Sequence, residues 1–184
     1  MLAAMKKFRL LLLDANVVIY LFEIALWDKL VERCAVLLSR IVAEREAQFF
    51  EKDDGEKVYF DLQPYIADNR ISVIDASVAD IKAFRDLFDP VYLSRLEDGE
   101  SESLAYLIQS PERCLICSAD AIVFRVLGLL DRTEQGLSLE EILGPIGLGR
   151  PTPWEFSKEY RERWTKVGGQ HRIQGQGLRR PHSS

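Results

Sequence analysis

Apolar residues recur along the chain with two different periods, and the switching between them predicts alternating strands and helices. Phe8–Leu13 is an apolar run that ends on Asp14, the pattern of a strand buried on both faces of a parallel sheet. From Val17 through Leu21, Ile24, Trp27, Leu30 and Val31 the spacing becomes helical. Residues 35–38 predict a second strand. The charged amphipathic stretch 40–51 predicts a helix, closed by the turn Asp53-Asp54-Gly55. Residues 58–69 define no single element, because Pro64 limits a helix there. A third strand comes next at Ile71–Ile74, then a helix over 79–88 that stops before Pro90. Gly99 opens a helix to about Gln109, residues 114–117 predict a fourth strand, and residues 121–130 another helix. Strands alternating with helices define an α/β protein with a parallel central sheet of four to five strands and crossovers on both faces.

Past Leu143 the pattern breaks. Gly144, Pro145, Gly147, Gly149, Pro151 and Pro153 interrupt regular structure, one further helix is predicted over 154–166, and residues 168–184 carry too few apolar groups to order. The expected division is therefore a domain over 1–150 and a C-terminal extension over 151–184. A length of 184 residues with 47% hydrophobic content suffices for one core. Charge sharpens the division: residues 158–184 hold seven Lys or Arg and two acids, a net +5, against −10 for residues 1–157.

Three cysteines, Cys34, Cys114 and Cys117, match no disulfide framework and point to a reducing, cytoplasmic setting. Cys114 and Cys117 form a Cys-x-x-Cys inside an apolar strand. That suits core packing, since a redox pair needs a helix N-terminus and a zinc site needs two more ligands. Lys6 and Lys7 before the first apolar run superficially resemble a signal peptide, but Asp14 and Asn16 interrupt it too soon. No run reaches a membrane-spanning length, so a soluble protein with no membrane partner is expected.

In parallel sheets, ligands bind beyond the carboxyl ends of the strands. Here the first strand ends Leu13-Asp14-Ala15-Asn16 and the fourth is followed by Ser118-Ala119-Asp120. The second leads into Ser39-Arg40-Ile41-Val42-Ala43-Glu44, and a helix opens Asp98-Gly99-Glu100-Ser101-Glu102. Each acid also suits helix capping or a solvated face. Together, at one edge of one sheet, they would repel unless a cation neutralised them. Oxygen donors without His or Cys select magnesium or manganese.

These motifs resemble the PIN-domain nucleases, a family that includes many toxins of toxin-antitoxin pairs. The resemblance covers roughly residues 8–145. It rests on Leu13-Asp14-Ala15-Asn16-Val17-Val18-Ile19, on Ser39-x-Ile41-x-x-Glu44, on Gly99-Glu100-Ser101-Glu102-Ser103-Leu104-Ala105, and on Ser118-x-Asp120. It implies a three-layer α/β/α sandwich and hydrolysis of RNA phosphodiester bonds by Mg2+ or Mn2+ held by Asp14, Glu44, Glu102 or Glu100, and Asp120. Spacing to Asp120 favours Glu102, whereas the helical wheel puts Glu100 with Leu104, Leu107 and Ile108. Two residues apart means about 200 degrees, so only one of them binds metal. Asn16 and Ser118 would orient the carboxylates. Arg40, Arg45, Arg125 and the basic tail would hold the polyanion. An antitoxin protein and a second copy of the chain are the further partners implied.

Three features depart from the family pattern. Ala121, Ile122 and Val123 stand where many members carry a further acid or a base, residues 49–69 are longer than compact toxins need, and the domain ends atypically. The first departure favours the alternative of a catalytically silent PIN-like module that binds RNA or protein. A HAD-like phosphatase would want a second Asp where Asn16 stands. A nucleotide-binding protein would want a Gly-rich loop after a strand, which the sequence lacks.

Overall fold

The computed structural model describes residues 8–110 and 112–180. Lys6, Lys7 and the last four residues of the basic tail lie outside the described residues. The chain begins β1 (Phe8–Leu13), α1 (Ala15–Glu23), α2 (Trp27–Arg33), β2 (Cys34–Ser39) and a π-helical turn (Val42–Glu46). It continues through the hairpin β3 (Phe49–Glu51) and β4 (Lys57–Tyr59), then α3 (Gln63–Ala67) and β5 (Ile71–Ile74). Next come α4 (Val78–Arg85), α5 (Pro90–Leu93), α6 (Asp98–Gln109), β6 (Leu115–Cys117) and α7 (Ala121–Leu129). The last elements are β7 (Gly136–Leu137), α8 (Leu139–Leu143) and α9 (Lys158–Ile173).

The central sheet has five parallel strands in the order β5-β2-β1-β6-β7, with helices on both faces. Alternate side chains leave a strand on opposite faces, and the core divides accordingly. Leu11, Leu13, Val36 and Leu38 face one cluster with Val17, Leu21, Trp27, Leu30 and Ile142. Leu12, Leu37 and Ile116 face the other with Phe84, Phe88, Leu104 and Phe124. All seven strand residues are at least 94% buried, and each contributes roughly 1.5–3 kcal/mol by leaving water.

Strand order also marks the edge at which open α/β sheets generally take ligands. The chain winds outward from β1 to β2 and β5, then returns to β6 on the other side of β1. Winding therefore reverses between β1 and β6, and the crevice beyond their carboxyl ends is where open α/β sheets take ligands. Leu13 pairs with Cys117, so Asp14 and Ser118 leave the sheet side by side.

Several elements differ from the sequence expectation. Ala25, at φ 56°, divides the expected long helix into α1 and α2. The expected helix over 40–51 shrinks to a short turn before β3, and Gly55, at φ 83°, turns the chain back into β4. The expectation that residues 168–184 lack order is overturned for residues 168–180; the remainder lie outside the described residues. α9 runs to Ile173 because it crosses α7 at two glycines. A β-carbon at Gly168 would collide with the Arg125 backbone of α7, and one at Gly128 with the Thr165 backbone of α9. After α9, Asp89 accepts the Gly177 N–H and Phe88 bridges to Leu178, which docks the tail against the α4–α5 turn. Among the described residues no helix is long and apolar enough to cross a membrane.

Candidate functional site: an acidic edge between β1 and β6

Asp14 is 4% exposed and forms the N-cap of α1. Its Oδ1 accepts the Ala15 N–H at 2.9 Å and its Oδ2 accepts the Ser118 hydroxyl at 2.6 Å. The Ser118 oxygen in turn accepts the Asp120 N–H at 2.9 Å. Asn16 accepts the Ala119 N–H at 3.2 Å, tying the turn after β1 to the turn after β6. Asp120 caps α7 through the Ile122 N–H. Two strand tips and two helix caps are thus fused into one hydrogen-bonded unit, with Ser118 in direct contact with Asp14.

α6 brings a third acid to this edge. Glu100 is buried, its Oε2 accepts the Glu97 N–H at 3.0 Å, and its carboxyl is in hydrogen-bonding contact with that of Asp120. Burial, reinforced by the Asp14 and Asp120 charges, pushes the Glu100 pKa up to about 9. Asp14 is also raised, first by burial and then by Asp120 and Glu97, against the lowering effect of its Ser118 and Ala15 bonds. Such shifts express the cost of crowding carboxylates in a poorly solvated place.

Glu102 faces elsewhere. Its Oε2 accepts the Ile41 N–H at 3.0 Å, while Ser39 Oγ accepts the Val42 N–H, so the two side chains together satisfy the open end of the turn after β2. Of the two candidates on α6, Glu100 joins Asp14 and Asp120 and Glu102 does not. Both are buried, and the face that the helical wheel assigns to Glu100 is the one that meets Asp14 and Asp120.

Glu44 is likewise outside the cluster. Half its side chain is exposed and it pairs with Arg40 at 3.4 Å. The acid brought inward from this segment is Glu46, which the sequence pattern does not single out. Burial raises its pKa, followed by the charges of Asp14, Glu97 and Asp98. Its carboxylate lies on Gly99, where a β-carbon would collide with both oxygens. The i+5 bond from Ala47 N to Val42 O widens this turn by one residue and rotates Glu46 into place. Period-3.6 reasoning cannot anticipate such a shift. Glu97 is a second acid that the sequence reading misses, although the capping-box spacing Glu97-x-x-Glu100 is a legible signal.

Of the three arginines expected to hold RNA, one is buried and two are exposed. Arg125 is 8% exposed beneath the rings of Tyr92 and Trp164, so it is closed to a polymer. Arg40 is exposed but bonded to Asp75 at 2.9 Å, and Arg45 is exposed. Cys114 and Cys117 are buried. Desolvation lifts the Cys114 thiol to about 11 and also pushes the Cys117 thiol well up from its ordinary value, as ordinary core cysteines require.

Among the described residues, no three of these side chains are gathered as a ready-made metal-binding group. The donor set itself, oxygen ligands without imidazole or thiolate and under mutual repulsion, is the kind a hard divalent cation takes. Compared with protein-family models, curated proteins and solved structures, the chain matches none.

Proposed function

We propose that the chain is a PIN-type ribonuclease, dependent on Mg2+ or Mn2+, that hydrolyses RNA phosphodiester bonds at the β1–β6 edge. The toxin role in a toxin-antitoxin pair, an antitoxin partner and a homodimer belong to the same proposal. The observation that carries it is the convergence of Asp14, Glu100 and Asp120, from three separate stretches of sequence, at the crevice where the sheet reverses its winding. Glu46 is the fourth member, in place of Glu44.

Asp14, Glu46, Glu100 and Asp120 would hold the cation. A divalent ion bound there supplies an activated water and offsets charge on the phosphate. Ser118 holds Asp14 in one rotamer by donating to Oδ2, and its acceptor bond from Asp120 N–H fixes the second strand tip. Asn16 keeps the two tips in register. Without a cation, burial and the neighbouring charges hold the Glu100 carboxyl in its protonated form, and a bound divalent ion would offset those charges and release its proton.

A catalytically silent binding module is the second reading. It is favoured by Asp14 already having both oxygens occupied by protein donors. Cleavage of a mixed single-stranded RNA pool with millimolar Mg2+ or Mn2+ separates the two. Loss of cleavage in Glu100→Gln and Asp120→Asn supports the nuclease. RNA binding without cleavage in the wild type supports the silent module.

A further inference from the structure

Residues 154–164 carry four aromatic rings, and their fates differ. Phe156 is buried and stacks on Tyr20 of α1, centroids 4.4 Å apart and planes at 16°. Tyr160 packs edge-on against Phe124 of α7 at 6.3 Å. Trp164 packs against the core on the far side of Tyr160, their centroids 6.1 Å apart. These three are docked and need no ligand to explain them.

Trp154 is different. It keeps 46% of its surface exposed while Tyr160 meets it at 4.9 Å with ring planes at 88°. The Arg163 guanidinium lies 5.5 Å from the centroid of Trp154 and 5.5 Å from that of Trp164. An exposed tryptophan flanked by a second ring and an arginine offers an apolar face with a positive charge beside it, the Glu155 carboxylate following it in the chain.

Its location gives it meaning. The segment from Phe156 to Tyr160 bridges α1 and α7, the two helices capped by Asp14 and Asp120. Tyr160 sits near both the Asp120 carboxylate and the Ala121 backbone. Tyr20 is six residues into α1 from Asp14, about 9 Å along the helix axis. Trp154 therefore stands one ring away from the acidic edge.

We propose that Trp154, backed by Arg163, is a stacking platform that receives a base of single-stranded RNA and so sets the strand beside the carboxylate edge. The inference rests on the ribonuclease reading above. Single strands are the class that fits, because bases in a duplex are already stacked and cannot lie on a protein ring. The arginine adds positive charge in a region where the acids alone would repel the backbone. No base identity is selected, since every base offers a π-face.

The test is binding of a labelled short oligouridylate in EDTA, where cleavage cannot intervene, by wild type, Trp154→Ala and Trp154→Phe. An abasic chain of the same length serves as the baseless polyanion. Trp154→Ala is expected to lose roughly 5- to 100-fold in affinity for the oligouridylate, to bind the abasic chain as the wild type does, and to be rescued largely by Trp154→Phe. Equal oligouridylate binding by Trp154→Ala and wild type would overturn the platform, as would an equal loss on the abasic chain or a wild type that binds neither. Intact binding of this pattern without metal-dependent cleavage would leave the platform standing and sink the nuclease alone.

Discussion

The acids at the strand tips and the acids on the helices reach the candidate site by different routes. Asp14 and Asp120 come after strands whose neighbours are set by ladder hydrogen bonds. Leu13 lies opposite Cys117, so the residues just past the two strands must emerge together. Glu44, Glu46, Glu100 and Glu102 ride on helical turns, where two residues reverse the face and one residue of π-widening changes which acid points inward. A site assembled from both kinds of position has an anchored half and an adjustable half.

The largest expected effect lies in the anchored half. Ser118→Ala removes a hydroxyl that orients Asp14 and accepts the Asp120 N–H without itself holding the cation, and is expected to lower metal-dependent cleavage by roughly 10- to 100-fold. Asp14→Asn is expected to cost more than that. An Asp14→Asn variant as active as Ser118→Ala would break the distinction between the acid and its support.

The helix-borne acids sharpen the comparison next. Glu46→Gln is expected to reduce cleavage at least about tenfold, as for loss of a well-placed supporting group, whereas Glu44→Gln, on an exposed surface pair, is expected to stay within a factor of about two. The reverse order in a side-by-side cleavage assay would show that the turn after β2 presents the other glutamate.

Acidity gives a third break point. Glu100 has a folded pKa of about 9 against the ordinary 4.5, so the folded state retains a proton that the unfolded chain has lost. Stability is then fully present below about pH 4.5 and falls as pH rises toward 9; the upward shifts of Asp14 and Glu46 act in the same direction. Thermal midpoints in EDTA are expected to drop between pH 5 and pH 9 in the wild type and to flatten in Glu100→Gln. A wild-type midpoint that climbs with pH would contradict the crowded-carboxylate picture.

The smallest effect is purely structural. Glu102→Ala leaves the Ile41 N–H without its carboxylate acceptor and is expected to destabilise by about 1–3 kcal/mol in denaturant unfolding. Its thermal response to manganese should match the wild type.

These contrasts also explain how much of the molecule is legible in the sequence. β1, β2, β5 and β6 are legible because apolar runs buried on both faces have few other uses, and Asp14 and Asp120 come with them. Phe49 and Phe50 are absorbed into a charged helical pattern, although they begin a hairpin whose Asp53-Asp54-Gly55 turn is itself visible. β7 is two residues long and starts with glycine, which leaves almost no periodic signal. Gly168-Gly169 reads as a helix breaker until the Arg125 backbone is placed against Gly168. Glu46 and Arg125 share a cause: their orientation depends on contacts with remote segments, Gly99 for the first, Tyr92 and Trp164 for the second.

The most direct test of a carboxylate-metal site is thermal unfolding of metal-stripped protein with and without saturating manganese, for wild type and for the Asp14→Asn/Asp120→Asn double variant. An ion at a hundred times its dissociation constant that binds only the folded state adds about 2.7 kcal/mol, a rise of roughly 5–10 °C for a chain of this size. The account predicts that rise in the wild type and none in the double variant. An unchanged wild-type midpoint, or an equal rise in both proteins, would contradict it.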